Sequence, residues 1–238
     1  CNTYFCKTFS DLFKKYTSNQ ESYNMWRNHI SSFGIGEWMN NDFVSGTKGM
    51  LPKHEYYNKY YGRTSWNSST IISMAIGQGE LLLTPIQMAN ISAIIANRGF
   101  YFTPHIVKSI EGNEKIDTTF LEKKYTTINP KHFDVIIEGM EKVIKQSDGT
   151  ANNIKSDSIS ICGKTGTAQN PHGEDHSIFI AFAPKEKPEI AIAVYIENGG
   201  WGSTWAAPIA GLMIKKYLKA DINKDVENFI MDGVTNNR

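Results

Sequence analysis

One short predicted strand constrains the fold more than any other part of the chain. Polar and apolar residues alternate over 158–161, and this period of two is typical of a half-buried β-strand. The strand runs on into Lys164, Thr165, Gly166 and Thr167, where alternation places the two hydroxyls on one face. A glycine inside a strand often marks close approach of a ligand or another backbone. The pattern predicts a strand edge suited to an anionic, peptide-like ligand.

Two other interpretations of this stretch are an exposed turn and a phosphate-binding loop. An exposed β-turn with an incidental lysine remains open on these four residues alone. A phosphate-binding loop matches 163–165, but its first glycine would have to stand where the chain has Ser158. Pro171 and Gly173 also exclude a following helix, whose N-terminus such a loop needs. We therefore reject the phosphate loop.

Composition indicates a globular chain with a substantial core. Of the 238 residues, 40% are hydrophobic and 21% charged, and the net charge is +1. This balance argues against disorder and against a nucleic-acid-binding surface. No apolar run approaches the length of a membrane span. The three cysteines, Cys1, Cys6 and Cys162, allow one disulfide at most, and the first two lie too close together in a predicted helix to pair easily.

Periodicity and capping signals predict an α+β fold, in which helices cover a three-stranded antiparallel run. Helices are predicted over 3–16, 18–33, 84–99, 130–149 and 206–218, and strands over 158–168, 177–183 and 189–196. Residues 34–69 are expected to form a long irregular connection, 100–128 strand and turn structure, and 220–238 a polar C-terminal tail. The inward face of the last helix is predicted to carry Ile209, Leu212, Met213 and Tyr217.

The Lys-Thr-Gly-Thr sequence at 164–167 resembles the third motif of the penicillin-recognising serine acyltransferases. Other stretches resemble the class B penicillin-binding proteins, in the same order along 1–219. These stretches are 75–79, 83–89, 139–140, 149–151, 182–184, 197–200 and 206–208. Gly-Gln-Gly at 77–79 and Glu-Asn-Gly-Gly at 197–200 favour the elongation-specific type, penicillin-binding protein 2-like, over the division-specific type.

The resemblance implies the penicillin-binding protein/β-lactamase-like transpeptidase fold and a peptidoglycan D,D-transpeptidase activity. In that family a serine attacks the D-Ala-D-Ala bond of a stem peptide, and the acyl group then passes to an amine of a second strand. Lys164 would tune the proton-transfer network electrostatically. Thr165, Gly166 and Thr167 would bind substrate, the two threonines holding its terminal carboxylate, and the amide of Thr167 would form half of the oxyanion hole.

The same resemblance implies the partners and the compartment of the parent protein. It would meet peptidoglycan stem peptides, β-lactams and the membrane elongation machinery, including a glycan polymerase. It would lie outside the cytoplasmic membrane, anchored through an N-terminal segment, and would need no cofactor, metal or nucleic acid.

The chain departs from the family at its start. The sequence at 1–5 resembles the tail of the second motif, Ser-x-Asn, so that Asn2 would be its catalytic asparagine. The serine of that motif would precede Cys1, and the nucleophile motif Ser-x-x-Lys would lie further upstream. Residues 1–219 are therefore expected to be the C-terminal portion of a transpeptidase domain, inactive by itself because it lacks the nucleophile.

Two further motif matches precede Lys164 and would complete a set of three with it. Ser45 and Lys48 satisfy Ser-x-x-Lys, and 65–67 satisfies Ser-x-Asn. A working first motif needs its serine at the start of a buried helix, and Gly46 with Gly49 makes that helix unfavourable. We expect these matches to be coincidental.

Three alternative functions stay open at this level. A β-lactam-sensing receptor of the same fold would bind the ligand without turnover, and a division-specific transpeptidase would share the chemistry. A β-lactamase would need fast deacylation, and the long 34–69 connection argues against it. The pair His172 and His176 with Asp175 is interpreted as a polar loop and not a metal site, and Cys162 as a buried strand cysteine and not a reactive thiol.

Overall fold

A computed structural model describes residues 2–111, 118–222 and 224–236, which fall into two compact units. Unit 1 comprises Cys1–Gln87 and Phe102–Ile128, and unit 2 comprises Met88–Tyr101 and Asn129–Arg238. The α-helices are α1 (Asn2–Phe13), α2 (Asn19–Ser31), α3 (His54–Tyr61), α4 (Pro85–Ala96), α5 (Phe133–Lys145), α6 (Ala206–Tyr217) and α7 (Lys224–Asn236). The strands are β1 (Phe100–Tyr101), β2 (Lys124–Tyr125), β3 (Cys162–Ala168), β4 (His176–Ala183) and β5 (Ile190–Ile196). Within the described residues, no helix is both long and apolar enough to cross a membrane.

The start of α2 follows the capping signal in the sequence. Ser18 is its N-cap, and the hydroxyl accepts a hydrogen bond from the amide of Glu21 at 3.1 Å. The carboxylate of Glu21 returns to the amide of Thr17 and not to that of Ser18. The predicted irregular connection at 34–69 is interrupted by α3, a short helix that its tyrosine-rich sequence did not reveal.

Large aromatic side chains fill the interior of unit 1. Tyr23 and Tyr57 are fully buried, and their rings meet edge to face with centroids 5.2 Å apart. Trp66, 2% exposed, contacts both and donates its indole N–H to Asn58 at 2.8 Å. The hydroxyl of Tyr23 donates to the carbonyl of Pro52 at 2.7 Å, which satisfies the polar end of a buried ring. Tyr23, Tyr57 and Trp66 therefore form the packed centre of unit 1.

A buried glutamine ties the irregular part of unit 1 to the first turn of α4. Gln87 is 1% exposed, and its amide nitrogen donates to the carbonyls of Gly34 (2.9 Å) and Lys48 (3.0 Å). Its amide oxygen accepts from the backbone of Thr84 at 2.9 Å. Buried backbone carbonyls need a donor. One side chain therefore supplies donors to two loop positions that are far apart in sequence.

Unit 2 is organised around the antiparallel sheet β3-β4-β5, in which β4 is central. Paired residues of neighbouring strands lie on the same face of the sheet. Thr165 pairs with Phe179, and Phe179 pairs with Val194, so these three residues share one face. This face carries the hydrophobic core, and α6 packs on it. The opposite face carries Lys164 and Ile180, which are also paired. The predicted strands over 177–183 and 189–196 are confirmed to within one residue at each end. The strand predicted from the alternation at 158–161 is wrong, because these residues are irregular and the first strand of the sheet begins at Cys162.

The inward face of α6 differs from the prediction. Its buried residues are Ala206, Ala207, Pro208, Ala210, Gly211 and Ile214, whereas Met213 and Tyr217 are exposed. Close packing explains the choice of small residues. A methyl group added to Gly211 would come within 2.9 Å of the Cβ of Ile154. Helix α5 buries Phe133, Ile137, Met140 and Ile144 but leaves Ile136 exposed.

The C-terminal segment forms a helix where the sequence predicts a polar tail. Helix α7 packs against α6, and Ile230 is 7% exposed. The ring of Phe229 stacks on that of Trp205 at 5.2 Å with an interplanar angle of 14°. Positions 223, 237 and 238 of the predicted tail lie outside the described residues, as do 112–117 of the predicted strand and turn region.

Candidate functional site

The four residues of the Lys-Thr-Gly-Thr motif lie in the middle of β3. Within the described residues β3 pairs only with β4, so the motif occupies an edge strand of the sheet. Thr165 and Thr167 pair with Phe179 and Ser177 of β4 and point to the face that carries the core. Lys164 points to the other face. The structure thus brings together the hydroxyls that the sequence predicted, on a strand with a free edge.

The ammonium of Lys164 folds back along the strand. It donates to the carbonyl of Thr165 at 2.8 Å. Its side chain keeps substantial contact with solvent, yet desolvation by the surrounding protein lowers its pKa below the ordinary lysine value. The lowered pKa means that these surroundings solvate the ammonium less well than bulk water does.

A third hydroxyl joins the two threonines. The Oγ1 atoms of Thr150 and Thr165 lie 2.9 Å apart, close enough for a hydrogen bond in either direction. Thr150 belongs to the connection between α5 and β3, and the sequence did not predict it as a site residue. The signal that could have found it is the Gly-Thr-Ala stretch at 149–151, which carried part of the family resemblance. Thr150 is therefore a hydrogen-bond partner of a motif threonine.

Asn2, the other predicted catalytic residue, is the exposed first residue of α1 in unit 1. Its neighbour Cys1 lies outside the described residues. The catalytic role of Asn2 stays a prediction, as do the roles of the motif residues in β3.

The alternative motifs do not form a catalytic arrangement. The segment that carries Ser45 and Lys48 is irregular and exposed, so the serine does not begin a buried helix. In the Ser-x-Asn match, Trp66 is a core residue, and the side-chain oxygen of Asn67 accepts hydrogen bonds from the amides of Ser69 and Thr70. Both matches have a structural explanation.

The histidines after β3 belong to a hydrogen-bonded loop. Nδ1 of His176 accepts from the amide of Asn198 at 3.1 Å, and the side chain of Asn198 accepts from Asn170 at 2.7 Å. Asp175 accepts from the amide of Asn170 at 3.1 Å. Across the described residues, no group of three or more His, Cys, Asp and Glu side chains is placed to hold a metal ion.

Cys162 is an interior residue and not a nucleophile. It is fully buried, and desolvation raises the pKa of its thiol to about 12, with Glu141 acting in the same direction. The carboxylate of Glu141 pairs with Lys185 at 2.6 Å. Thiolate, not thiol, is the reactive form, so Cys162 is inert at neutral pH.

Comparison with known proteins places the whole arrangement in a family. The family described as penicillin binding protein transpeptidase domain matches residues 1–215. The chain is 32% identical over 221 residues to the peptidoglycan D,D-transpeptidase MrdA of Haemophilus influenzae, a match that covers 84% of this chain and 34% of the relative. The chain thus spans about a third of the length of that relative.

Solved structures agree. The PBP2 of Pseudomonas aeruginosa in complex with WCK 5153 superposes with a TM-score of 0.76 at 30% identity, covering 91% of this chain and 45% of that one. The PBP2 of Helicobacter pylori in its complex with MreC gives 0.69 at 28% identity, covering 92% and 37%. The expected fold and the resemblance to the elongation-specific type are confirmed. The chain belongs to the penicillin-binding protein transpeptidase family.

Proposed function

We propose that the chain supplies the substrate-binding strand of a peptidoglycan D,D-transpeptidase of the elongation type. The observation that carries this proposal is the placement of Lys164, Thr165 and Thr167 on an edge strand with a free side. An extended peptide can add to such an edge through main-chain hydrogen bonds. The threonine hydroxyls then donate to its terminal carboxylate, and nearby positive charge on Lys164 favours the anion.

In this proposal the serine nucleophile is supplied by a part of the domain outside residues 1–238. Its oxygen forms a bond to the penultimate D-alanine carbonyl carbon, and the oxyanion that develops there is held by the amide of Thr167 as one donor. Collapse breaks the peptide bond and releases D-alanine, whose amine takes the proton that the serine hydroxyl gave up on attack. An amine of a second strand then attacks the ester, the carbon–oxygen bond to the serine breaks, and the serine oxygen regains the proton that the amine loses as the new peptide bond forms.

The role of Lys164 is electrostatic. Its lowered pKa reflects an ammonium that protein has partly desolvated, and a charge in such surroundings acts on its neighbours more strongly than one in bulk water. Asn2 is proposed to complete the second motif. Partners would be stem peptides, β-lactams and elongation proteins, including a glycan polymerase. The parent would be anchored on the outer face of the cytoplasmic membrane.

The binding step can be tested in the chain itself. A peptide ending in D-Ala-D-Ala is titrated into labelled protein while the backbone amide resonances are followed. We expect shifts centred on 164–168, and we expect them to weaken in Thr165→Val, which keeps the side-chain shape and removes the hydroxyl. The matched control is Thr64→Val, at an exposed turn of unit 1. Shifts spread evenly over the chain, or none, would contradict the proposal.

The absence of a nucleophile is tested by intact mass after incubation with excess benzylpenicillin. We expect no covalent adduct on residues 1–238. A stoichiometric adduct mapped to Ser45 would show that the exposed Ser-x-x-Lys match is functional and would overturn this part of the proposal.

A further inference from the structure

The connection between β5 and α6, residues 197–205, lies directly against the substrate-binding strand. A methyl group at Gly202 would come within 2.3 Å of the carbonyl oxygen of Ile178 and 2.6 Å of that of Gly166. Only a glycine permits this approach. Because Gly166 stands between Thr165 and Thr167, the loop touches β3 between the two threonines.

A buried serine fixes the loop on both sides of Gly202. Ser177 is fully buried, and its hydroxyl donates to the carbonyl of Trp201 at 2.9 Å and accepts from the amide of Ala206 at 3.2 Å. Ser177 pairs with Thr167 across β3 and β4, so this clamp lies on the threonine face of the sheet. The carbonyl of Gly202 accepts from the amide of Ala207 at 2.9 Å, which joins the loop to the start of α6.

The far end of the loop is held by the C-terminal helix. Trp205 is its last residue, and the ring stacks on Phe229 of α7. A methyl group at Gly233 would come within 2.0 Å of the Trp205 ring, so α7 passes across the indole at van der Waals distance. Contacts therefore run without interruption from α7 through Trp205 and the loop to Gly166.

We propose that α7 is a positioning element for the substrate-binding strand. Glycine gives the backbone at 166 more freedom than any other residue would, and that freedom lets the peptide planes on either side rotate. The loop removes it by lying on Gly166, and the stack of Phe229 on Trp205 keeps the loop in place. Phe229 and Trp205 are positioning residues, which act on Thr165 and Thr167 through the loop. This inference rests on the proposed function only for what the strand binds.

Amide hydrogen exchange in the 238-residue chain tests the coupling without any ligand. In Phe229→Ala we expect severalfold faster exchange in peptides covering 162–168 and 197–205, with little change in 190–196 of β5. Phe229→Leu, which keeps an apolar side chain against the indole, should restore much of the protection. Gly202→Ala should accelerate exchange at 162–168 while leaving α7 protected, because it lifts the loop directly. Met213→Ala, at an exposed position of α6, is the control.

Two results would overturn the inference. Unchanged exchange at 162–168 in Phe229→Ala would show that α7 does not act on the strand, and equal acceleration across the whole sheet would show a general loss of stability. The D-Ala-D-Ala titration separates this inference from the proposed function. A wild-type chain that fails to bind the peptide counts against the function alone, whereas equal binding by wild type and Phe229→Ala counts against positioning.

Discussion

The two units of the chain differ in the side chains through which their elements meet. Unit 1 has irregular connections around short helices, and its centre is occupied by the large rings of Tyr23, Tyr57 and Trp66. Unit 2 has a regular sheet, and α6 is packed on it through small residues such as Ala207 and Ala210.

The difference follows from geometry. A large ring buries much apolar surface between irregular segments, and a ring with a polar end can also donate to a loop carbonyl, as Tyr23 does to Pro52. A flat helix face against a pleated sheet leaves little room, and protein interiors have almost no free volume to spare. Unit 1 should therefore be sensitive to loss of volume, and unit 2 to its addition.

The largest expected effect is truncation in unit 1. Trp66→Ala should lower the free energy of unfolding by about 3–5 kcal/mol, because the surrounding rings cannot close the cavity. Denaturant unfolding measures the change. The control is Trp38→Ala, whose ring is 61% exposed and whose loss should cost no more than about 0.5 kcal/mol. Similar losses for both tryptophans would remove the distinction between core and surface in unit 1.

Enlargement in unit 2 should have an intermediate effect. Ala210→Leu adds volume where α6 meets the sheet, and overpacking of this kind costs about 1–3 kcal/mol. Met213→Leu on the exposed side of the same helix changes the side chain without touching the sheet, and its stability should match that of wild type. If Ala210→Leu were as stable as wild type, the interface would have free space and the comparison between the units would fail.

The smallest effect is expected at the charge pair of unit 2. The hydrogen bond from Lys185 lowers the pKa of Glu141 below its ordinary value of 4.5, and the same bond raises the pKa of Lys185 above 10.5. The lowered pKa of Glu141 adds stability above pH 4.5 that is lost as the pH falls through the folded-state pKa of this carboxyl. The raised pKa of Lys185 adds stability below pH 10.5 that is lost as the pH rises through the folded-state pKa of this lysine. Between those values Glu141→Gln should cost less than about 1 kcal/mol.

Unfolding of Glu141→Gln and wild type at several pH values checks this prediction. The difference should be largest near neutral pH and should shrink toward acid, where the wild-type carboxyl is protonated. A difference that is constant down to strongly acidic pH would mean that the pair contributes through packing and not through charge.

The sheet was predictable from sequence, and the reason is local. Strands β4 and β5 are apolar almost throughout and a short turn separates them, so each could be located from its own residues. Strand β3 has no such period and was located by its motif, whereas the alternating residues at 158–161 lie outside it. The motif from Lys164 to Thr167 also lies in a strand, and the spacing of its two threonines predicted that they share a face. A pattern that a single strand contains is visible before any packing is known.

Packing between elements was not predictable in the same way. The sequence assigned large apolar residues to the inward face of α6, whereas most of the residues buried there are small, such as Ala210 and Gly211. The contact of Thr150 with Thr165 spans 15 residues and has no periodic signal. Helix α7 is stabilised by the stack on Trp205, so its polar sequence alone did not indicate how it packs. These features depend on the residues that pack opposite a given residue. A pattern along the sequence carries no information about those partners.

The outer strand of the sheet has a consequence for handling the chain. Strand β5, Ile190–Ile196, has no proline, glycine or charged residue, and within the described residues it is the last strand on its side. Natural edge strands usually carry such residues to discourage aggregation, and short uncharged segments of high β-propensity are the kind that stack into fibrils. We expect the chain to self-associate as its concentration rises, measurable by sedimentation velocity, and Ala193→Lys on the strand to suppress it. Solubility, and not folding, would then limit work on residues 1–238.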